Sequence, residues 1–217
     1  KLDEIKAFED NVMVSTWYAY RVSVSQGRTP VVTDAPLTVK ALRSLLLLPE
    51  DRMRPRYSDA RLGVFLTDKQ SIEEEGSQMR KYSLANRWRL EPQDPKAYKR
   101  GKLVEPVKPI VWYVDDAFPE SWKKPIKKAV LRWNQAFEKI GFKNVMQVRD
   151  FPKDDPSFDP DNLKYSCIRY IPSTVQNAMG PSWVDPKTGE IITASVIVYN
   201  DIVKLIAQWR FTQTAQV

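Results

Sequence analysis

From Val12 to Val24 the even-numbered positions read Val12, Val14, Thr16, Tyr18, Tyr20, Val22 and Val24, while Ser15, Arg21, Ser23 and Ser25 fall on odd ones. Successive side chains of an extended chain point to opposite faces, so a period of two held this long prescribes a long half-buried strand or a bent pair. Gln26-Gly27-Arg28 supplies a turn, and further β segments are expected near Val31 and from Leu37 to Leu48. The second also fits helical spacing through Val39, Leu42, Leu45 and Leu46; strand is the preferred reading.

At 217 residues, 42% apolar and 11% aromatic, the chain can bury one large core or two small ones. Seven glycines against sixteen prolines, with many valines, isoleucines, tyrosines and tryptophans, fit strands joined by stiff connections. The net charge of +7 is spread, lysines and arginines lying among acidic residues, and reads as a solvated basic surface. No apolar run reaches the ~20 residues of a membrane span, and Leu45-Leu46-Leu47-Leu48 is stopped by Pro49. Cys167, the single cysteine, excludes an intrachain disulfide and a thiolate metal cluster, and is expected to be a buried small hydrophobe. A start without methionine and an end in mid-pattern suggest a piece excised from a longer precursor.

Beyond a proline-rich, charged stretch at 49–60, Arg61 to Leu66 reads as a short strand, and Ser71 to Gln78, with three glutamates, as an exposed loop or short helix. The polar run Glu91 to Lys102 is the expected domain boundary. Ile110 to Val114 is of strand length. Trp122, Ile126, Ala129, Val130, Trp133, Phe137 and Ile140 then share one face of a helix, with Pro125 tolerated in its first turn and Gly141 placed to end it. Alternation from Phe142 to Val148 predicts a return to the sheet. Cys167 to Ile171 reads as an inner strand, Pro172 to Gly189 as irregular, and Ile191 to Tyr199 as the last strand, with Ala194, Val196 and Val198 pointing one way. Asp201 is placed to cap a final helix with Ile202, Leu205, Ile206 and Trp209 as its apolar stripe.

The sequence contains no histidine, which removes histidine metal sites, Ser-His-Asp triads and Cys-His pairs. Phosphate and dinucleotide glycine loops are absent as well. Asp115-Asp116, Asp154-Asp155, Asp159 and Asp161 fit no EF-hand spacing and read as loop carboxylates that favour turns. Trp88 between Arg87 and Arg89 offers a stacking surface for single-stranded nucleic acid, but a strand core with arginines on its outer side explains the same pattern.

The stretch KPIVWYVDDAFPESWKKPIKKAVLRWNQAFEKIGF, followed by IRYIPS, NAMGPSWVDPKTGEIITASVIVYND and IVKLIAQWRF, resembles one bacterial family of zinc-dependent metallopeptidases of metzincin type. RMRPRYSDARLGVF and NRWRLEPQDP resemble the domain that precedes the catalytic unit in those proteins. The resemblance implies an α+β chain: a β-rich accessory domain over 1–104, then over 105–217 the front of a metzincin-like domain, a twisted mixed sheet with a long backing helix. Family members continue into a helix bearing an H-E-x-x-H-x-x-G-x-x-H-type motif that binds zinc and supplies a glutamate base. Val217 precedes any such motif, so zinc and catalysis belong to the parent protein, and this chain is expected to be inactive alone, with no metal or catalytic residue of its own.

What the resemblance carries over is substrate handling. It makes Ile191 to Tyr199 the edge strand along which a peptide or protein substrate lies by β-augmentation, with Ala194, Ser195, Val196, Ile197 and Val198 flanking the cleft and Gly180 in the loop above. The same edge is expected to promote self-association. It also implies export to a bacterial periplasm, surface or medium, and neither a nucleic-acid partner nor a membrane span is expected. The competing reading is a secreted, non-catalytic adhesion module that uses exposed aromatics such as Trp183 and Tyr199.

Overall fold

The computed structural model describes residues 1–72 and 78–214 of an α+β chain. The expected loop or short helix at 71–78 falls largely outside those residues. The chain forms two compact units, one of residues 1–49 with 159–164, the other of 50–158 with 165–217.

The first unit is an antiparallel sheet of order β1-β2-β3, with β1 at Leu2–Ala7, β2 at Asn11–Gln26 and β3 at Thr29–Leu46. The alternating stretch is thus one strand, and the ambiguous Leu37 to Leu48 segment is strand as far as Leu46. Gly27, at φ 62, makes the tight turn between Gln26 and Thr29, a conformation costly for any residue with a Cβ. A register shift between Leu2 and Glu4 lets the Asp3 carboxylate accept from Ser15 Oγ at 3.0 Å and Trp17 Nε1 at 3.1 Å, and pair with Lys40 at 2.6 Å.

At the base of β2 the odd positions are the buried ones: Asn11, Met13 and Ser15 are 3%, 2% and 1% exposed. Ser15 is turned to Asp3, and the segment 159–164 holds Asn11 and the neighbouring Lys6. Asn11 Oδ1 accepts from Leu163 N–H at 3.0 Å and its Nδ2 donates to the Asp161 carbonyl at 3.3 Å, while Lys6 bonds Asp159 and Asp161 at 2.9 Å each.

In the second unit, β4 (Leu66–Ile72) and β5 (Met79–Ala85) pair antiparallel. The strand expected from Arg61 begins only at Leu66. Asp59 folds the preceding residues into a turn by accepting from the Arg61 N–H at 3.0 Å and from Leu62 N–H, through its carbonyl, at 2.9 Å. The polar run at 91–102 is folded as well: Asp94 caps the helix α1 (Pro95–Lys99), and Gln93 and Val107 N–H groups donate to Glu105 and Glu91 carbonyls.

The main sheet contains β6 (Ile110–Val114), β7 (Met146–Asp150), β8 (Ser166–Ile171), β9 (Ala178–Met179), β10 (Ser182–Val184) and β11 (Ile191–Tyr199). Its order is β10-β11-β8-β6-β7, with β9 also on β11. The four inner and far strands run parallel, whereas β9 and β10 run antiparallel to β11. β8, bonded on both sides, is the inner strand expected, and Cys167 within it is 2% exposed.

Between β6 and β7 lie α2 (Glu120–Arg132) and α3 (Asn134–Glu138), one amphipathic run interrupted at Trp133. Trp122, Ile126, Val130 and Phe137 pack on the core of Ile110, Trp112, Val114, Phe118, Val145 and Ile168. Trp133 and Ile140, expected on that face, are 63% and 54% exposed. The buried face is centred on Ile126, Val130 and Phe137. Asn134 is seated beside it, its amide accepting from Met146 N–H at 2.8 Å and donating to the Met146 carbonyl at 3.0 Å, which leaves Trp133 and Ile140 at the rim. Gly141, at φ 91, ends the run as expected. The last helix, α4 (Ile202–Thr214), half-buries Ile202 and Leu205 but leaves Ile206 and Trp209 each 54% exposed. Among the described residues no helix is long and apolar enough to cross a membrane.

Candidate functional site

Ile191–Tyr199 is not the edge of its sheet. On one side Ser195 to Tyr199 pair with Cys167 to Ile171 of β8, and on the other Ala194 pairs with Ser182, Ile197 with Met179 and Val198 with Ala178. The expectation that this strand offers unpaired backbone to a substrate is therefore corrected. The chain's own short segment 178–184 occupies that side, because the Asp185 turn folds β10 back onto β11.

The turn is built from buried polar groups. Asp185 is 0% exposed; its carboxylate accepts from Lys187 N–H at 2.8 Å and Thr188 Oγ1 at 3.0 Å, and its backbone bonds Glu190 and Gly189. Gly189, at φ 77, lies where a Cβ would sit 2.6 Å from the Ala85 carbonyl oxygen. That closeness lets Arg87 N–H donate to the Gly189 carbonyl at 2.9 Å and Ile191 N–H to the Arg87 carbonyl at 2.9 Å. Residues 85–87 thus brace the base of the β10–β11 hairpin.

The outer segment presents the backbone. Ser195 N–H donates to the Pro181 carbonyl at 2.9 Å. With Ser182 opposite Ala194, this makes the pair a non-hydrogen-bonded one, so the N–H and C=O of Ser182 face away from β11. Met179 is 45% exposed, and Gly180, Pro181 and Ser182 are exposed. A Cβ built on Gly180 meets nothing within 4 Å, so this glycine leaves open space rather than answering a backbone need.

The six residues expected to handle substrate separate accordingly. Gly180 lies on the outer segment. Ala194, 9% exposed, is in the core; Ser195 to Val198 are half-buried within the sheet, Val196 and Val198 on its core side. The alternation predicted their facing correctly. The outer segment was missed because two- and three-residue strands broken by Gly180-Pro181 carry no period; the turn residues Asp185-Pro186-Lys187-Thr188-Gly189 were the available signal.

The other candidates are engaged elsewhere. Trp88 stacks edge-on against Trp112, ring centroids 6.4 Å apart, while Arg89 holds Asp51 and Glu91 at 2.8 Å and Arg87 donates to the Arg54 carbonyl at 2.7 Å. Asp115 accepts from Ala117 N–H at 3.0 Å and Asp155 from Ser157 N–H at 2.9 Å, the turn roles expected of them. Trp183 and Tyr199 are half-buried. Among the described residues no group of three or more His, Cys, Asp or Glu is placed to hold a metal ion.

Residues 1–93 match a family described as "Domain of unknown function (DUF5117)", a match to less than half of the 217 residues. Comparison with curated proteins gives no match. Comparison with solved structures gives none either.

Proposed function

We propose that this chain is the non-catalytic front portion of a bacterial, exported zinc metallopeptidase of metzincin type, and that its task is to present the edge along which a peptide substrate is aligned. The carrying observation is the outer segment 178–184, antiparallel to β11 on an otherwise parallel sheet, with the Ser182 backbone turned outward. A peptide laid there would gain main-chain hydrogen bonds without distorting the sheet, which is the chemistry of β-augmentation. The resemblance of 105–217 to the catalytic domain supports the peptidase reading, and the substrate edge is 178–184 in place of 191–199. The functional division, accessory over 1–104 and catalytic front beyond, differs from the division by compactness, because residues 85–91 are bonded into the sheet unit.

Zinc would be held by residues outside this sequence, where it would activate water; no step through it involves the side chains described here. Two measurements test the reading. The codons that follow Val217 must encode an H-E-x-x-H helix, and their lack of histidine would end the enzyme reading. Amide NMR of the chain titrated with an unstructured casein-derived peptide mixture should shift Met179, Ser182 and Trp183 first; unmoved signals there, with shifts elsewhere, would reject the edge.

A further inference from the structure

Most of the chain's basic excess lies on the two backing helices and their exit. Residues 120–143 hold seven lysines and arginines against two glutamates, a net +5 of the +7 carried by all 217 residues. Lys123 and Lys127 are half-buried and paired, with Glu120 at 3.1 Å and Asp150 at 2.6 Å. Lys124, Lys128, Arg132 and Lys139 are exposed and form no ion pair among the described residues. Ile126 and Val130 pack on the core, so helical spacing puts Lys124, Lys128, Leu131 and Arg132 of α2 on the opposite, outward face. A face that merely keeps a helix in water gains by alternating signs. Like charges at i and i+4, as in the Lys124–Lys128–Arg132 row, repel instead, and a partner of negative charge relieves them.

Large apolar side chains are interleaved with these cations. Leu131 is 44% exposed, Trp133 63% and Ile140 54%. Where α2 gives way to α3, Arg132, Trp133, Gln135, Ala136 and Lys139 line an open depression of about 390 Å³. It has room for a phosphate-bearing headgroup and offers it two cations and an indole.

We propose that the outward face of α2 and α3 docks on a membrane rich in anionic phospholipid. The lysines and arginines lie at the phosphates, and Leu131, Trp133 and Ile140 at the boundary between headgroups and acyl chains. The chemistry selects this partner over other polyanions. A nucleic acid would use the cations but has no place for an exposed leucine and isoleucine, and Trp133 alone is too little for a base-stacking track. An acidic peptide would need a groove or a sheet edge, and a convex helix face offers neither. Each cation near an anionic bilayer strengthens binding about 5-fold, so the four exposed ones amount to roughly several hundred-fold over a neutral bilayer. The surface shares no residue with the outer segment 178–184 and holds whether or not that segment takes a peptide.

The test is co-sedimentation of the 217-residue chain with vesicles of phosphatidylcholine, alone or with about 30% phosphatidylglycerol, in about 0.1 M salt. The anionic vesicles should bind at least about 100-fold more tightly, and the difference should shrink at about 0.5 M salt. Lys128→Gln with Arg132→Gln, checked for an unchanged circular dichroism spectrum, should weaken that binding about 25-fold. Arg28→Gln with Lys187→Gln, the same loss of charge at exposed positions of other elements, should weaken it by less than about 3-fold. Phosphatidylglycerol brominated on its acyl chains should quench the tryptophan fluorescence of the parent more than that of Trp133→Phe. Absence of binding, equal binding to both vesicle types, equal loss in the two double variants or unchanged quenching in Trp133→Phe overturns the proposal. Tighter binding to duplex DNA in the same salt would assign the face to nucleic acid and likewise overturn it.

Discussion

Ser195 N–H donates to the Pro181 carbonyl at 2.9 Å, and through that bond Ser182 is left with its backbone groups facing outward. Amide exchange should register the alternation. Ser195 N–H is expected to be protected at least about 10-fold more than Ser182 N–H, since it is freed only when the outer segment lifts from β11, whereas Ser182 N–H faces outward already. Equal exchange at the two amides would mean that the hairpin is frayed or paired in another register.

Two glycines of the same hairpin should respond oppositely to a methyl group. Gly189→Ala must place a Cβ 2.6 Å from a backbone oxygen at φ 77, and is expected to cost about 1–3 kcal/mol in chemical denaturation. Gly180→Ala meets open space at an ordinary φ and should stay within about 0.5 kcal/mol. A neutral Gly189→Ala would show that residues 85–87 do not brace the turn.

The backing helices offer a second contrast. Val114→Ala empties a fully buried position and is expected to cost about 2 kcal/mol. Asn134→Ala leaves the Met146 backbone without either of its side-chain partners and should cost about 1–3 kcal/mol. Trp133→Ala, at a site 63% exposed, should cost less than both. Urea midpoints of the three variants rank them, and a Trp133→Ala midpoint below the other two would place that indole in the core.

Asp3 provides a pH test confined to the first sheet. The Lys40 ammonium first, then the Trp17 and Ser15 hydrogen bonds, hold its carboxyl at about 2 against an ordinary 3.8. A lowered folded value favours the folded state wherever the group is ionised, so the contribution is complete above about pH 4 and disappears as pH falls towards 2. The melting temperature of Asp3→Asn should lie below that of the parent at pH 6, and the gap should close by pH 2. A gap independent of pH would mean that the ionised carboxylate is not what Lys40 and Trp17 recognise.

Long periodic elements were legible before any coordinates. The Val12–Val24 alternation became β2, Ile110–Val114 became β6, and the helical stripe identified Trp122, Ile126, Val130 and Phe137 correctly. Periodicity failed where another force set the orientation. At the base of β2, hydrogen bonds from Asn11 to a segment about 150 residues away buried the polar side of the strand, and no local pattern encodes that. On the helix, Asn134 docking on Met146 set the buried face and moved Trp133 to its rim. The sheet edge escaped notice because 178–184 is a strand only by virtue of what β11 offers it.

The segment 159–164 also bears on how such a chain is made. Lys6 and Asn11 find their partners at Asp159, Asp161 and Leu163, so the first sheet lacks its cover when its own strands leave the ribosome. Some hundred further residues must emerge before Asn11 is bonded, and closing so long a loop is slow relative to hairpin formation. The nascent hairpin must therefore wait with both faces bare, a substrate for chaperones and for other nascent copies of itself.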